Sequence, residues 1–160
     1  MPGTSPILIA ACGNELAGGD AFGPLVGKEL RGRLPAGAEL IELVMNPAAL
    51  LDHLEGRRGL ILIDAAWVPN MHPGTLLACE WDSEARPALA TDRATSTHGL
   101  SVANQIELAR RLGILPPVVW LCAVAINPCA DLADTENGVR EKVPEAAARV
   151  CALSCKLLEI

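Results

Sequence analysis

The chain has 160 residues, a formal net charge of −6 and a hydrophobic fraction of 51%, which excludes a disordered chain and suits one globular domain, residues 1–160, with a substantial core. Aromatic residues make up 2% and tyrosine is absent, so Leu, Val, Ile and Ala must fill that core. The acidic balance, with no basic stripe, argues against nucleic acid or an anionic membrane as a partner.

In chain order, Pro6 to Cys12 is a continuous apolar run and predicts a buried strand. Asp20 to Arg33 carries Phe22, Leu25, Val26 and Leu30 at helical spacing, with Asp20 near the start. Ala38 to Val44 predicts a second strand, and Pro47 to Leu54 a short helix with proline in its first turn. Gly59 to Asp64 reads as the most completely buried strand. Thr75 to Trp81 follows so soon that no helical crossover fits, so this fourth strand is expected to run antiparallel. A helix over Thr97 to Leu112 ends at Gly113, a strand runs from Pro117 to Ala125, a loop covers Asn127 to Asn137, and a last helix runs from about Pro144 to Leu158.

This alternation predicts an α/β fold: a three-layer α/β/α sandwich on a mostly parallel five-stranded sheet of order 2-1-3-5-4, strand four antiparallel, in a phosphorylase/hydrolase-like arrangement. In such sheets ligands bind beyond the carboxyl ends of the strands, where the strand order reverses. Asp20 follows strand one, Asp64 ends strand three, and the loop 82–96 must return the chain to the same edge, delivering His98. Two carboxylates and an imidazole suit a divalent metal with open coordination positions. Each residue also has a plainer reading. Asp20 suits a helix cap, Glu15 rivals it in the same glycine loop, and His98 beside Ser96 and Thr97 suits a helix start. Asp64 is harder to dismiss, because an acid after four buried aliphatics loses hydration unless a partner is supplied. His53 reads as solvated, His72 as a turn residue near the crevice, and Trp67 as a peptide contact or a lid residue.

No apolar run reaches the ~18 residues of a membrane span, and the N-terminus lacks the basic region of a signal peptide. Cys12, Cys79, Cys122, Cys129, Cys151 and Cys155 form no Cys-x-x-Cys pair. They read as small reduced core residues of a cytoplasmic protein.

The motifs Gly13-Asn14-Glu15-Leu16-Ala17-Gly18-Gly19-Asp20-Ala21-Phe22-Gly23, Ile63-Asp64-Ala65, Pro73-Gly74-Thr75 and Ser96-Thr97-His98-Gly99-Leu100 occur in order along the chain. With Ala125-Ile126-Asn127-Pro128 and Val143-Pro144-Glu145, this series resembles the hydrogenase maturation endopeptidases. The resemblance departs at Gly19, where the family has an acid, and after strand two, where Glu42-Leu43-Val44-Met45 replaces an Asp-Gly-Gly-Thr segment. It implies a monomeric cytoplasmic endopeptidase that removes the C-terminal extension of a nickel-loaded [NiFe] hydrogenase large-subunit precursor. Asp20, Asp64 and His98 would be both catalytic residues and metal ligands, the nickel being carried by the precursor, and another divalent metal can occupy such a site in a crystal. Two other readings stand beside it. One is a nucleotide-binding module in which Glu42 holds a ribose, against which Glu15 replaces the second glycine of the fingerprint and Asp20 would repel phosphate. The other is a non-catalytic maturation scaffold.

Overall fold

The structure, a computed structural model, describes residues 4–13, 21–43, 46–67, 70–81, 102–127 and 132–160. Five strands form one sheet: β1 (Ile7–Cys12), β2 (Ala38–Leu43), β3 (Gly59–Trp67), β4 (Leu76–Glu80) and β5 (Val118–Ile126). Their order is β2-β1-β3-β5-β4. β1 pairs parallel with both β2 and β3, β3 pairs parallel with β5, and β4 pairs antiparallel with β5. The expected order and the antiparallel fourth strand are both present. Because β5 lies between β3 and β4, the connection between those strands crosses the carboxyl end of β5. It is pinned there by Gly74 N–H donating to the Ala125 carbonyl and Ala125 N–H donating to the Thr75 carbonyl, each at 2.8 Å.

Side-chain alternation along buried strands divides the core in two. Ile7, Ile9, Ile61 and Ile63 pack on one face beneath α1 (Phe22–Leu30) and α3 (Leu132–Leu158). Leu8, Ala10, Leu60 and Leu62 pack on the other, with Leu50 of the 3-10 helix Pro47–His53 and with Ile106 and Ala109 of α2 (Val102–Leu112). Arg57 ties the amino edge together. It is buried, donates through Nε to the His53 carbonyl at 2.9 Å and through Nη1 to the Ser5 carbonyl at 2.7 Å, and pairs with Glu39 at 2.6 Å.

Several boundaries differ from the sequence expectation for physical reasons. β3 runs on through Trp67, because β5 supplies ladder partners as far as Ile126. Asp64 is therefore inside a strand instead of at its end. The expected loop over 127–137 gives way from Leu132 onward to α3, which passes through Pro144. An interior proline costs one backbone hydrogen bond, roughly 3 kcal/mol. Burial of Val139, Ala146, Ala147 and Val150 offsets that cost, and the Arg140–Glu136 and Arg149–Glu145 ion pairs at i,i+4 add a little. α1 stops at Leu30, short of Arg33, and the chain turns through Gly32 with φ +74°. The segment after Pro47 winds as a 3-10 helix. α2 ends at Leu112 before Gly113, φ +72°, as expected. The residues proposed to begin this helix, including Thr97 and His98, lie outside the described ones.

Gln105 on α2 is 1% exposed, and neither its amide oxygen nor its nitrogen has a hydrogen-bond partner among the described residues. A buried unpaired amide costs about 1–3 kcal/mol, and methionine has nearly the same shape. Gln105→Met is expected to stabilise the fold by about 1 kcal/mol, read as a higher urea midpoint at unchanged slope. A lower midpoint would show that the amide has a partner.

Candidate active site

The site begins where the β1–β3 ladder stops. Its last register pair is Ala11 with Ile63, whereas β3 continues beside β5 for four more residues, Asp64 to Trp67. β1 and β3 therefore part just at Asp64, between the two strands at which the sheet order reverses. Alternation places Asp64 on the face of Leu60 and Leu62, the face covered by α2 and the 3-10 helix. It is half-buried. Its Oδ1 accepts the backbone N–H of Ala65 at 2.8 Å, which holds the carboxylate in one orientation.

Cys12 ends β1 on the same face. Its thiol donates weakly to the Ala10 carbonyl at 3.6 Å. Burial, and secondarily the negative charge of Asp64, push its pKa well above the ordinary thiol value. Cys122 on β5 is likewise pushed up to about 11, mainly by burial. Both thiols stay protonated at neutral pH, so neither is an activated nucleophile.

α1 begins against the same edge. Gly23, in its first turn, packs so closely on β1 that a Cβ there would overlap the Cys12 carbonyl oxygen and stand 2.9 Å from the Cys12 carbonyl carbon and nitrogen. Ala21 and Phe22 beside it are buried. The last glycine of the first motif is thus a contact residue that fixes where α1 starts. The sequence signal was its place in the glycine pattern, which alone assigned it no role. On the other face, α2 spans about 16 Å and leads through Gly113–Pro117 to the amino end of β5, so it starts toward the carboxyl edge.

Of the three proposed ligands, Asp64 stands in this crevice. Asp20 and His98 lie outside the described residues, as does the rival Glu15. Among the described residues no three His, Cys, Asp or Glu side chains come together as a metal-holding group. His53 is half-buried and leads directly into the amino end of β3, at the opposite edge. His72 is exposed in the β3–β4 connection, and its Nδ1 contacts the Pro73 carbonyl at 2.9 Å. Glu42 is ion-paired with Arg31, just after α1, and packs near Gly27, so it does not stand open for a ribose. Cys12, Cys79, Cys122, Cys151 and Cys155 are not joined in disulfides, but Cys155 is exposed and not a core residue; Cys129 lies outside the described residues. Among the described residues no helix is long and apolar enough to cross a membrane. An open groove of about 460 Å³ between Trp81, Arg110, Leu115 and Pro117 lies at the amino edge, far from Asp64.

Comparison with known proteins agrees with this geometry. No curated protein sequence matches the chain. Among solved structures, the hydrogenase maturating endopeptidase HybD from E. coli is 28% identical, with a TM-score of 0.75 over 94% of this chain and 92% of that one. An endopeptidase from E. coli solved in solution is also 28% identical, with a TM-score of 0.73 over 91% and 90%. The [NiFe] hydrogenase maturation protease HybD from Thermococcus kodakarensis shares the fold at 22% identity, with a TM-score of 0.60 over 91% and 98%. The family model described as HycI, hydrogenase maturation protease, matches residues 25–155. With β3 carrying an oriented acid into the crevice that opens beyond β1, the chain belongs to the hydrogenase maturation protease family.

Proposed function

We propose that this protein is a cytoplasmic, monomeric endopeptidase that removes the C-terminal extension of a hydrogenase large-subunit precursor, and that nickel already inserted in the precursor is what it recognises. The observation that carries the reading is Asp64, an oriented carboxylate at the point where β1 and β3 separate. Asp20 and His98 complete the ligand trio. Asp20 immediately precedes buried Ala21, beside the Gly23–Cys12 contact. His98 is four residues before Val102, a length of chain that reaches at most about 14 Å.

Two oxygen donors and one imidazole suit a divalent ion and leave positions for the precursor's own ligands. Asp64, held by the Ala65 N–H, contributes a fixed negative charge. Asp20 and His98 would be the other two ligands of that ion, with the scissile peptide beside it. Nickel held there would polarise the peptide carbonyl; the alternative is a carboxylate of the trio that would take a proton from the attacking water. A covalent route through Cys12 is disfavoured, because its thiol is held protonated.

The test uses purified protein with nickel-loaded and nickel-free precursor, following loss of the extension by mass. Processing is expected for the loaded form only. Equal cutting of both would overturn nickel recognition, and binding without cutting would favour a scaffold.

A further inference from the structure

We infer that Trp67 is a specificity-determining residue, an anchor for an apolar side chain of the precursor about three residues from the cleaved bond. This rests on the reading of the site as a precursor protease. β3 continues past Asp64 through Ala65 and Ala66 to Trp67. By alternation Ala65 and Trp67 share the α1/α3 face, where Ala65 belongs to the core cluster. One pleat further out, Trp67 is 38% exposed. The other large exposed hydrophobic residues described are Leu108 and Leu112 on α2 and Ile160 at the C-terminus. Of these four, Trp67 is the one that stands at the carboxyl edge of the sheet.

Its backbone is held firmly. Trp67 is in register with Ile126, and the following connection is tied back to β5 through Gly74 and Thr75. Ala65 and Ala66 are small, so the indole projects beyond its strand neighbours. A large, mostly apolar ring on a rigid ladder loses little conformational freedom on binding, and tryptophan is enriched among residues that dominate binding energy. Three strand residues span about 10 Å, the length of three residues of extended peptide. By alternation Asp64 and Trp67 face opposite sides of the sheet, so a peptide whose scissile bond sits at Asp64 meets the indole by crossing over the carboxyl end of β3.

The test is steady-state processing of nickel-loaded precursor by the wild type, Trp67→Ala, Trp67→Phe and the exposed control Leu112→Ala. Trp67→Ala is expected to raise KM at least about tenfold with kcat within about twofold, since this contact forms in the ground state as well. Trp67→Phe should fall between, and Leu112→Ala should match the wild type. Separately, indole emission should shift to the blue when precursor binds, and Trp67→Phe should lose that shift. Normal processing with an unchanged KM in Trp67→Ala would overturn the anchor and leave the protease reading standing. A Trp67-dependent emission shift without any cutting would keep the anchor and overturn the protease reading. Neither shift nor cutting would overturn both.

Discussion

Asp64→Asn is expected to fold normally and to lose processing of nickel-loaded precursor by about a thousandfold or more, beyond the roughly 10–100-fold typical of residues that only support a ligand. The reason lies in the two jobs of this carboxylate. Its Oδ1 accepts the Ala65 N–H at 2.8 Å, and an amide oxygen can accept that bond equally well. Its charge is what a divalent ion needs, and the amide removes it. Asp64→Ala removes both and should be equally inactive, with a further stability loss of about 1 kcal/mol for the missing acceptor. Processing rates read by mass, together with urea midpoints of the three proteins, separate the two effects. Processing by Asp64→Asn at a rate near the wild type would remove Asp64 from the site and leave only its part in the strand.

Gly23→Ala should be the most disruptive single methyl addition to the described part of the fold. The new Cβ would overlap a backbone carbonyl, that of Cys12, so no side chain can rotate aside. Either the start of α1 or the end of β1 must move. Overpacking of this kind costs about 1–3 kcal/mol and occasionally more, and backbone opposition places Gly23 at the upper end, about 3 kcal/mol. Gly32→Ala is the informative comparison. There φ is +74° with open space around the position, so its cost is the left-handed conformation alone, about 1 kcal/mol. Urea midpoints should therefore rank wild type, Gly32→Ala, Gly23→Ala. Processing should suffer only in Gly23→Ala, because α1 starts at the residue after Ala21, next to Asp20. Equal midpoints for the two variants would mean that α1 and β1 are not in the close contact described.

The fold was legible wherever hydrophobic period and chain length left a single solution. Strands buried on both faces show as unbroken aliphatic runs, so β1, β3 and β5 are readable from Ile7–Cys12, Leu60–Ile63 and Val118–Ala125. The short interval before Thr75 forced an antiparallel fourth strand. Helix ends are less legible, because a proline reads locally as a start. Pro144 looked like one, yet α3 begins at Leu132, since Val139 and Val143 pack against the same core as Ala146 and Val150. A burial partner distant in sequence outweighs a local preference, and no local pattern contains that partner.

The candidate site divides in the same way. An acid following four buried aliphatics marks Asp64 as needing a purpose, because its desolvation is written into the residues before it. The ordered series of motifs carried the family without any coordinates. Only the tertiary structure decided that Asp64 sits inside β3 and not at its end, because the ladder to β5 outlasts the ladder to β1. Only the packing of α1 on β1 gave Gly23 its role, since a close approach between separate elements has no signature in either one. Exposure of Trp67 and burial of the unpaired Gln105 amide likewise depend on which surfaces meet. Composition and period determine what a segment can bury; the meeting of segments far apart in the chain determines what it does bury, and therefore which side chains remain available for chemistry.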